Sequence, residues 1–110
     1  MATTTYKILG QQAPAATTST DLYTVPASTE TIVSSIVVAN RASTSATYRI
    51  SVSANGAALA NEQYLIYDAT ISGNDTIALT LGITIDATDK IRVYGSSANL
   101  SFNAFGTEIA

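Results

Sequence analysis

The sequence predicts an all-β protein, and three observations support that prediction. Apolar and polar residues alternate along short segments, turn-forming residues separate these segments, and little of the chain has helix-forming composition. In "TYRISVS", for example, Tyr48, Ile50 and Val52 fall on one face and the polar residues between them fall on the other. We therefore predict a two-sheet antiparallel β-sandwich, of jelly-roll or immunoglobulin-like topology, with an N-terminal extended arm.

Eight segments carry this alternation or a comparable apolar run. Turn signals such as Asn55-Gly56 and Gly73-Asn74-Asp75 stand between them, at a spacing typical of a sandwich or barrel. The predicted strands are Thr5–Leu9, Asp21–Val25, Thr31–Asn40, Thr47–Ser53, Gln63–Thr70, Thr76–Leu81, Lys90–Gly95 and Leu100–Gly106. The segment Ala57–Gln63 has helix-forming composition but is only about two turns long, so we predict a loop or a single helical turn.

The length of 110 residues indicates one domain. Residues 11–20, "QQAPAATTST", show no hydrophobic period and are typical of an extended connector. We therefore divide the chain into an arm of residues 1–20, which either supplies a strand or reaches away, and a single sandwich of residues 21–110. Pro26 has no N–H and a fixed φ, so it predicts that the strand before it ends at a corner or an edge.

The composition argues against several classes of partner. Only 12% of the residues are charged, the net charge is −3, and the five basic residues form no cluster, so we expect no nucleic-acid binding. No apolar run reaches the length of about 18 residues needed for a membrane span. The first residues, "MATTTYKILG", lack the features of a secretion signal, so we expect synthesis in a cytoplasm.

Catalytic chemistry is also poorly represented. The chain has neither histidine nor cysteine, which excludes Ser-His-Asp hydrolysis, disulfides and thiolate metal sites. The glycines are scattered singly, so no phosphate-binding loop is predicted. Asp75, Asp86 and Asp89 lie in turns and offer oxygen ligands for calcium, but a turn aspartate more often caps its own backbone. We predict no enzyme activity, no cofactor and no metal site.

The strand Thr31–Asn40 is apolar on both faces if its residues alternate regularly. A sandwich strand normally has one core face and one solvent face, so the second apolar face needs a cover. That cover is either the N-terminal segment or a neighbouring subunit. The two predicted faces are Ile32, Ile36 and Val38 on one side, and Val33, Val37 and Ala39 on the other.

Tyrosine and arginine supply the remaining candidates for contacts. Tyrosines form platforms for sugars or protein partners, but they also occupy half-buried strand positions for packing alone. The six tyrosines are Tyr6, Tyr23, Tyr48, Tyr64, Tyr67 and Tyr94. In "QYLIYD", alternation predicts that Tyr64 and Tyr67 face opposite ways. Arg41 and Arg49 are expected either to pair with a carboxylate of a neighbouring subunit or to be solvated charges that discourage edge aggregation.

The chain resembles small virion structural proteins of tailed bacteriophages, including those that infect cyanobacteria. The resemblance covers nearly the whole chain in the order "TYKILGQ", "DLYTVPAST", "IVVANR", "TYRISV" and "DKIRVYGSS…LSFNAFGTEI". It implies a non-enzymatic β-sandwich located in the virion after synthesis in the host cytoplasm. It also implies major capsid protein or other virion proteins as partners, and a homo-oligomer, with a trimer favoured.

Two roles within the particle stay open. A capsid decoration, or cement, protein gains affinity from many copies of a modest interface, and a stand-alone chain without coiled-coil or fibre repeats favours this role. The alternative is a tail, neck, baseplate or fibre component that contacts host surface glycans or other tail proteins. The candidate interface residues are Tyr6, Tyr23, Val33, Val37, Arg41, Arg49, Tyr64 and Tyr67.

Overall fold

The computed structural model describes residues 2–110 and contains nine β-strands and two short 3₁₀ helices. The strands are β1 (Thr4–Gln12), β2 (Thr20–Thr24), β3 (Glu30–Asn40), β4 (Ala46–Ser53), β5 (Tyr64–Ile71), β6 (Thr76–Leu79), β7 (Ile83–Ile85), β8 (Lys90–Gly95) and β9 (Leu100–Ile109), with 3₁₀ helices at Ala54–Gly56 and Asn61–Gln63.

The strands form two antiparallel sheets, which confirms the predicted two-sheet sandwich. Sheet A has the order β1-β9-β3-β6, and β7 pairs with β3 beyond β6. Sheet B has the order β2-β8-β4-β5. Apart from β4–β5 and β6–β7, successive strands lie in different sheets, and the first strand of each sheet pairs with one of the last two strands of the chain. This order is that of a jelly roll, so the immunoglobulin-like alternative is wrong.

The N-terminal segment supplies an edge strand of sheet A. Residues of β1 pair with β9 from Thr4 opposite Ile109 to Gln12 opposite Phe102. The connector that follows returns to the domain, where the Thr17 N–H donates to the Gly95 carbonyl at 2.8 Å. Residues 4–12 therefore belong to the sandwich and do not reach away from it.

The core lies between the two sheets. Its largest fully buried side chains come from both sheets and include Phe102, Ile36, Ile50, Ile71, Ile91 and Leu100. Tyr48 of sheet B meets Phe102 of sheet A edge to face, with ring centroids 6.4 Å apart. Tyr48 and Ile50 of β4 and Ile91 and Val93 of β8 are buried as the period of two predicts, whereas Val52 is half-buried and Ser51 and Ser53 of β4 are buried as well.

The prediction for the faces of β3 is wrong, because the strand contains a β-bulge. Val33 pairs with Gly106 and Ser35 pairs with Phe105, so Ser34 is an extra residue opposite β9. One extra residue exchanges the two faces of a strand with a period of two. Val33 is therefore buried before the bulge and Ile36 is buried after it, while Ile32 points outward.

The corners of the sandwich are held by backbone bonds and one buried amide. At the corner that contains Pro26, the Val25 N–H donates to the Asp89 carbonyl at 2.9 Å. At the opposite end, Asn40 is buried, its Nδ2 lies 2.8 Å from the Thr44 carbonyl oxygen, and its Oδ1 accepts the Ala42 N–H. These bonds satisfy loop groups that would otherwise be unpaired.

Two elements differ from the prediction. The strand predicted for Thr76–Leu81 ends at Leu79, and Ile83–Ile85 form a further strand, β7, that alternation did not reveal. Gly82 between them has φ +63°, which interrupts the strand and lets both pieces pair with β3. The segment Ala57–Gln63 ends in one turn of 3₁₀ helix, within the predicted range of a loop or single turn.

We expect Gly106→Ala to destabilise the sandwich by about 2 kcal/mol, because a Cβ there would overlap the carbonyl oxygen of Ile32 at the bulge. Gly82→Ala is the control, since a Cβ there meets nothing within 4 Å and should cost only the left-handed strain of about 1 kcal/mol. Urea unfolding of the two variants measures both changes. Equal losses of unfolding free energy would contradict this account of the bulge.

Candidate interaction surfaces

Sheet A presents an exposed apolar surface to the outside of the sandwich. We define the apolar face of sheet A by four side chains, and their exposed fractions are 82% for Tyr6, 52% for Ile8, 44% for Ile32 and 36% for Phe105. The register places Ile8 directly opposite Phe105, and places Tyr6 and Ile32 on either side of Thr107. Three neighbouring strands therefore combine their outward side chains into one surface.

Thr107 lies between Tyr6 and Ile32, and further polar residues of this surface lie at its rim. Gln11 and Asn103 lie opposite each other across β1 and β9, and their side chains are joined by a hydrogen bond of 2.7 Å. Glu30, at the start of β3, is the charged residue among the described outward positions of the sheet. An apolar centre, a polar rim and a low charge are typical of protein interfaces.

Lys7 and Glu108 do not interrupt the apolar face, because both belong to the inward set of their strands. The Lys7 Nζ lies 3.2 Å from the Glu108 carboxylate, at the end of the sandwich and not on its outer surface. The alternation of "TYKIL" and "LSFNAFG" contains the signal for Ile8 and Phe105, which our sequence analysis did not select.

The structure places two of the predicted interface residues elsewhere. Val33 is only 2% exposed because the bulge turns it into the core, and Tyr23 is only 8% exposed. Neither side chain is available on the surface of the folded chain, so their selection as contact residues is wrong. Tyr6 and the half-buried Val37 do lie on the outer side of sheet A.

Tyr23 instead links the two sheets inside the sandwich. Its hydroxyl donates to the Glu108 carboxylate at 2.5 Å and lies 2.8 Å from the Thr31 hydroxyl oxygen. Burial, followed by the bond to Glu108, raises the pKa of Tyr23 to about 12. The same bond, assisted by Lys7, holds the pKa of the Glu108 carboxyl below its ordinary value.

Sheet B carries a different surface, centred on Arg49. Its guanidinium forms a bidentate pair with Asp68, with Nε–Oδ1 2.6 Å and Nη2–Oδ2 3.2 Å, and lies 4.2 Å from the ring centroids of both Tyr67 and Tyr94. Tyr64 packs edge to face on Tyr67 at 4.8 Å. We call these five residues the arginine cluster of sheet B.

Two predictions about this cluster are corrected. Arg49 pairs with a carboxylate of its own chain, so it is neither a free edge charge nor reserved for a neighbouring subunit. The pair raises the pKa of Arg49 and lowers that of Asp68. Tyr64 and Tyr67 lie on the same face, because the register with β4 is irregular between Ile50 and Ser51.

The other charged candidates have local roles. The guanidinium of Arg41 donates to the Ala98 carbonyl at 2.9 Å. The carboxylates of Asp75, Asp86 and Asp89 each accept a backbone N–H in or beside their turn, as expected for turn caps. In residues 2–110 no three acidic side chains are grouped closely enough to hold a metal ion.

We expect Tyr23→Phe to flatten the pH dependence of stability at both extremes. The Glu108 contribution is present above its ordinary pKa of 4.5 and is lost as the pH falls through its lower folded value. The Tyr23 contribution is present below its ordinary pKa of 10.0 and is lost as the pH rises towards about 12.

Thermal or urea unfolding between pH 2 and pH 12 measures this change. Near neutral pH the variant should lose about 1.5 to 3 kcal/mol of unfolding free energy, the value of a hydrogen bond to a charged group. The control is Tyr6→Phe, which changes an exposed hydroxyl and should leave the profile unaltered. The buried Tyr48, whose pKa is also raised by burial, should keep part of the alkaline loss in both variants.

Comparison with protein-family models and with curated protein sequences gives no match for this chain. Within residues 2–110, the search for membrane spans finds no helix with the length and apolar character to cross a bilayer. The two surfaces described above are therefore the features of the molecule that bear on its function.

Proposed function

We propose that this chain is a non-enzymatic virion structural protein of a tailed bacteriophage, and that it decorates the outer shell of the capsid. The observation that carries the proposal is the apolar face of sheet A, which a folded subunit leaves exposed to water. The resemblance of the sequence to small phage virion proteins is the reason for assigning the chain to a phage particle. The jelly-roll fold is compatible with this role but hosts many others, so it carries no weight alone.

The dimensions of sheet A support an interface of ordinary size. Four strand positions about 4.8 Å apart, with about nine residues at about 3.3 Å each, give a flat footprint of roughly 600 Å². A standard interface buries about 800 Å² on each partner. One sheet face is therefore large enough for a modest contact, and a symmetric shell multiplies that contact through its many copies.

The charges of the subunit favour a protein partner over a nucleic acid. Four of the five basic side chains, Lys7, Arg49, Lys90 and Arg92, are held in ion pairs within the chain. The fifth, Arg41, donates to a backbone carbonyl. Since no group of free cations is left to neutralise phosphates, the surfaces are suited to apolar and hydrogen-bonded contacts.

We expect Ile32→Glu and Phe105→Glu to reduce binding to capsid shells at least ten-fold, because each places a charge at the centre of the apolar face. Cosedimentation of the purified protein with shells that lack it measures the binding, and immunolabelling of intact virions locates it. Thr70→Glu, at an exposed position of β5 in the other sheet, is the matched control. If the sheet A variants bind capsid shells as tightly as the parent chain does, the apolar face of sheet A is not the surface that binds the capsid.

A second candidate function is a tail component that binds host glycans through the arginine cluster. The specific observation is that Tyr64, Tyr67 and Tyr94 gather on one side of sheet B. Against it, Arg49 already occupies the space between the rings of Tyr67 and Tyr94, where a sugar would stack.

Glycan-array binding tests this candidate directly. If the cluster binds sugars, Tyr67→Ala should abolish the signal and Tyr6→Ala should leave it intact. Since the Arg49 guanidinium fills the stacking space, we expect no glycan binding by the parent chain. If the parent chain binds glycans saturably and Tyr67→Ala removes that binding, the tail role is favoured over capsid decoration.

A further inference from the structure

One edge of the sandwich is open along five residues. Among the described strands β1 pairs with β9 alone, and Thr4 to Ile8 are all exposed. Beyond them, Gly10 lies against the carbonyl of Leu22 in β2, so the two sheets close together there. The open part of the edge is therefore limited to Thr4–Ile8.

The pairing with β9 shows which backbone groups of this edge are free. Thr3 and Ala110 exchange both of their N–H···O bonds, at 2.6 and 2.9 Å, and so form a hydrogen-bonded pair. In an antiparallel ladder such pairs alternate, which assigns Thr5 and Lys7 to bonds with β9. The N–H and C=O groups of Thr4, Tyr6 and Ile8 consequently point away from β9, towards the open edge.

The other three sheet edges are protected against strand addition. The edge strand β2 has five residues, a register shift between Asp21 and Tyr23, and an aspartate bound to Lys90 and Arg92. The edge strand β5 is distorted at Asp68, which has φ +52°. The last edge is split into β6 and β7 at Gly82. Edge strands are usually protected against strand addition because they are short, charged or distorted. The segment Thr4–Ile8 has few of these features.

We propose that β1 adds to β1 of a second copy of this chain, antiparallel and about a two-fold axis, to form one continuous sheet. The register that fits places Tyr6 opposite Tyr6 of the second copy and Thr4 opposite Ile8 of the second copy. This register pairs every free edge group of Thr4, Tyr6 and Ile8 with its equivalent, because a two-fold contact joins the same surface on both subunits.

Repulsion between lysines disfavours the register in which the two-fold axis lies at Lys7 and not at Tyr6. A shift of the axis by one residue would place Lys7 directly opposite Lys7 of the second copy, and like charges opposite each other destabilise a strand pair. With Tyr6 on the axis, Lys7 instead faces Thr5 of the second copy. Lys7 also keeps its own partner, Glu108, at 3.2 Å.

The pairing has two consequences for the assembly. The apolar faces of the two copies, including Tyr6, Ile8 and Phe105, join into one surface of twice the area. Five residues of strand contact are small beside a standard interface, so the dimer is weak in solution and gains strength where copies are concentrated on a particle. The two-fold axis gives a dimer, whereas the resemblance favoured a trimer.

Disulfide trapping tests the register, since the chain has no cysteine of its own. In a hydrogen-bonded pair the Cα atoms lie about 5.5 Å apart, within the range of about 4.4 to 6.8 Å that a disulfide needs. We therefore expect Tyr6→Cys to form a covalent dimer under mild oxidation. In the matched control Ile8→Cys, the two equivalent positions are about 14 Å apart and should cross-link at least ten-fold more slowly.

Both positions are exposed, so neither substitution removes core packing, and far-ultraviolet circular dichroism verifies the fold. Faster cross-linking of Tyr6→Cys supports the register, and equal rates or no cross-linking in either chain overturn the proposal. As a second measurement, Tyr6→Lys should shift the monomer–dimer equilibrium seen by sedimentation equilibrium towards monomer, and Thr70→Lys should not. These experiments use the purified protein alone, so their outcome is independent of whether the chain binds a capsid.

Discussion

The extra residue at Ser34, opposite the β9 backbone between Phe105 and Gly106, is the constraint on which the rest of sheet A depends. A strand with a period of two exchanges its faces wherever one residue is inserted. The bulge therefore sends Val33 into the core and leaves Ile32 outside, next to the exposed side of β9. Gly106 permits it, because only a residue without a Cβ leaves room for the Ile32 carbonyl. The apolar face thus arises from a backbone irregularity.

The same bulge arranges the polar interior. With the faces of β3 exchanged, Thr31 points inward beside Glu108, and both meet the hydroxyl of Tyr23 from the opposite sheet. This bond network joins sheets A and B at the end of the sandwich where β3 begins. It also holds the carboxylate of Glu108 and the ammonium of Lys7 away from the outer surface. The uncharged character of the apolar face and the inter-sheet link are therefore two results of one local geometry.

The sequence predicted the features that depend on regular alternation. The sandwich, eight of its strands, and the burial of Tyr48 and Ile50 in β4 and of Ile91 and Val93 in β8 follow from the period of two. The remaining features depend on irregularities or on distant pairing, which have no period. The faces of β3 changed at Ser34, β7 is only three residues long, and the choice of jelly roll over immunoglobulin-like topology required the strand order. Arg49 pairs with Asp68 at a distorted stretch of β5. In that stretch Tyr64 contacts Tyr67, although regular alternation predicted that the two residues face opposite ways.

In the virion role that we propose, a subunit has to stay soluble before assembly and adhere afterwards. Serine and threonine give most of its surface polarity, because 12% of the residues are charged and most basic groups are already paired. Strong charge would keep copies apart in solution but would also oppose their packing on a particle. A polar surface with few charges avoids this conflict between solubility and packing. The proposed contacts through the open edge and the apolar face are each too small to hold two free copies together firmly. Contacts of this strength become decisive only when neighbours are fixed beside each other, which is the condition that a symmetric shell provides.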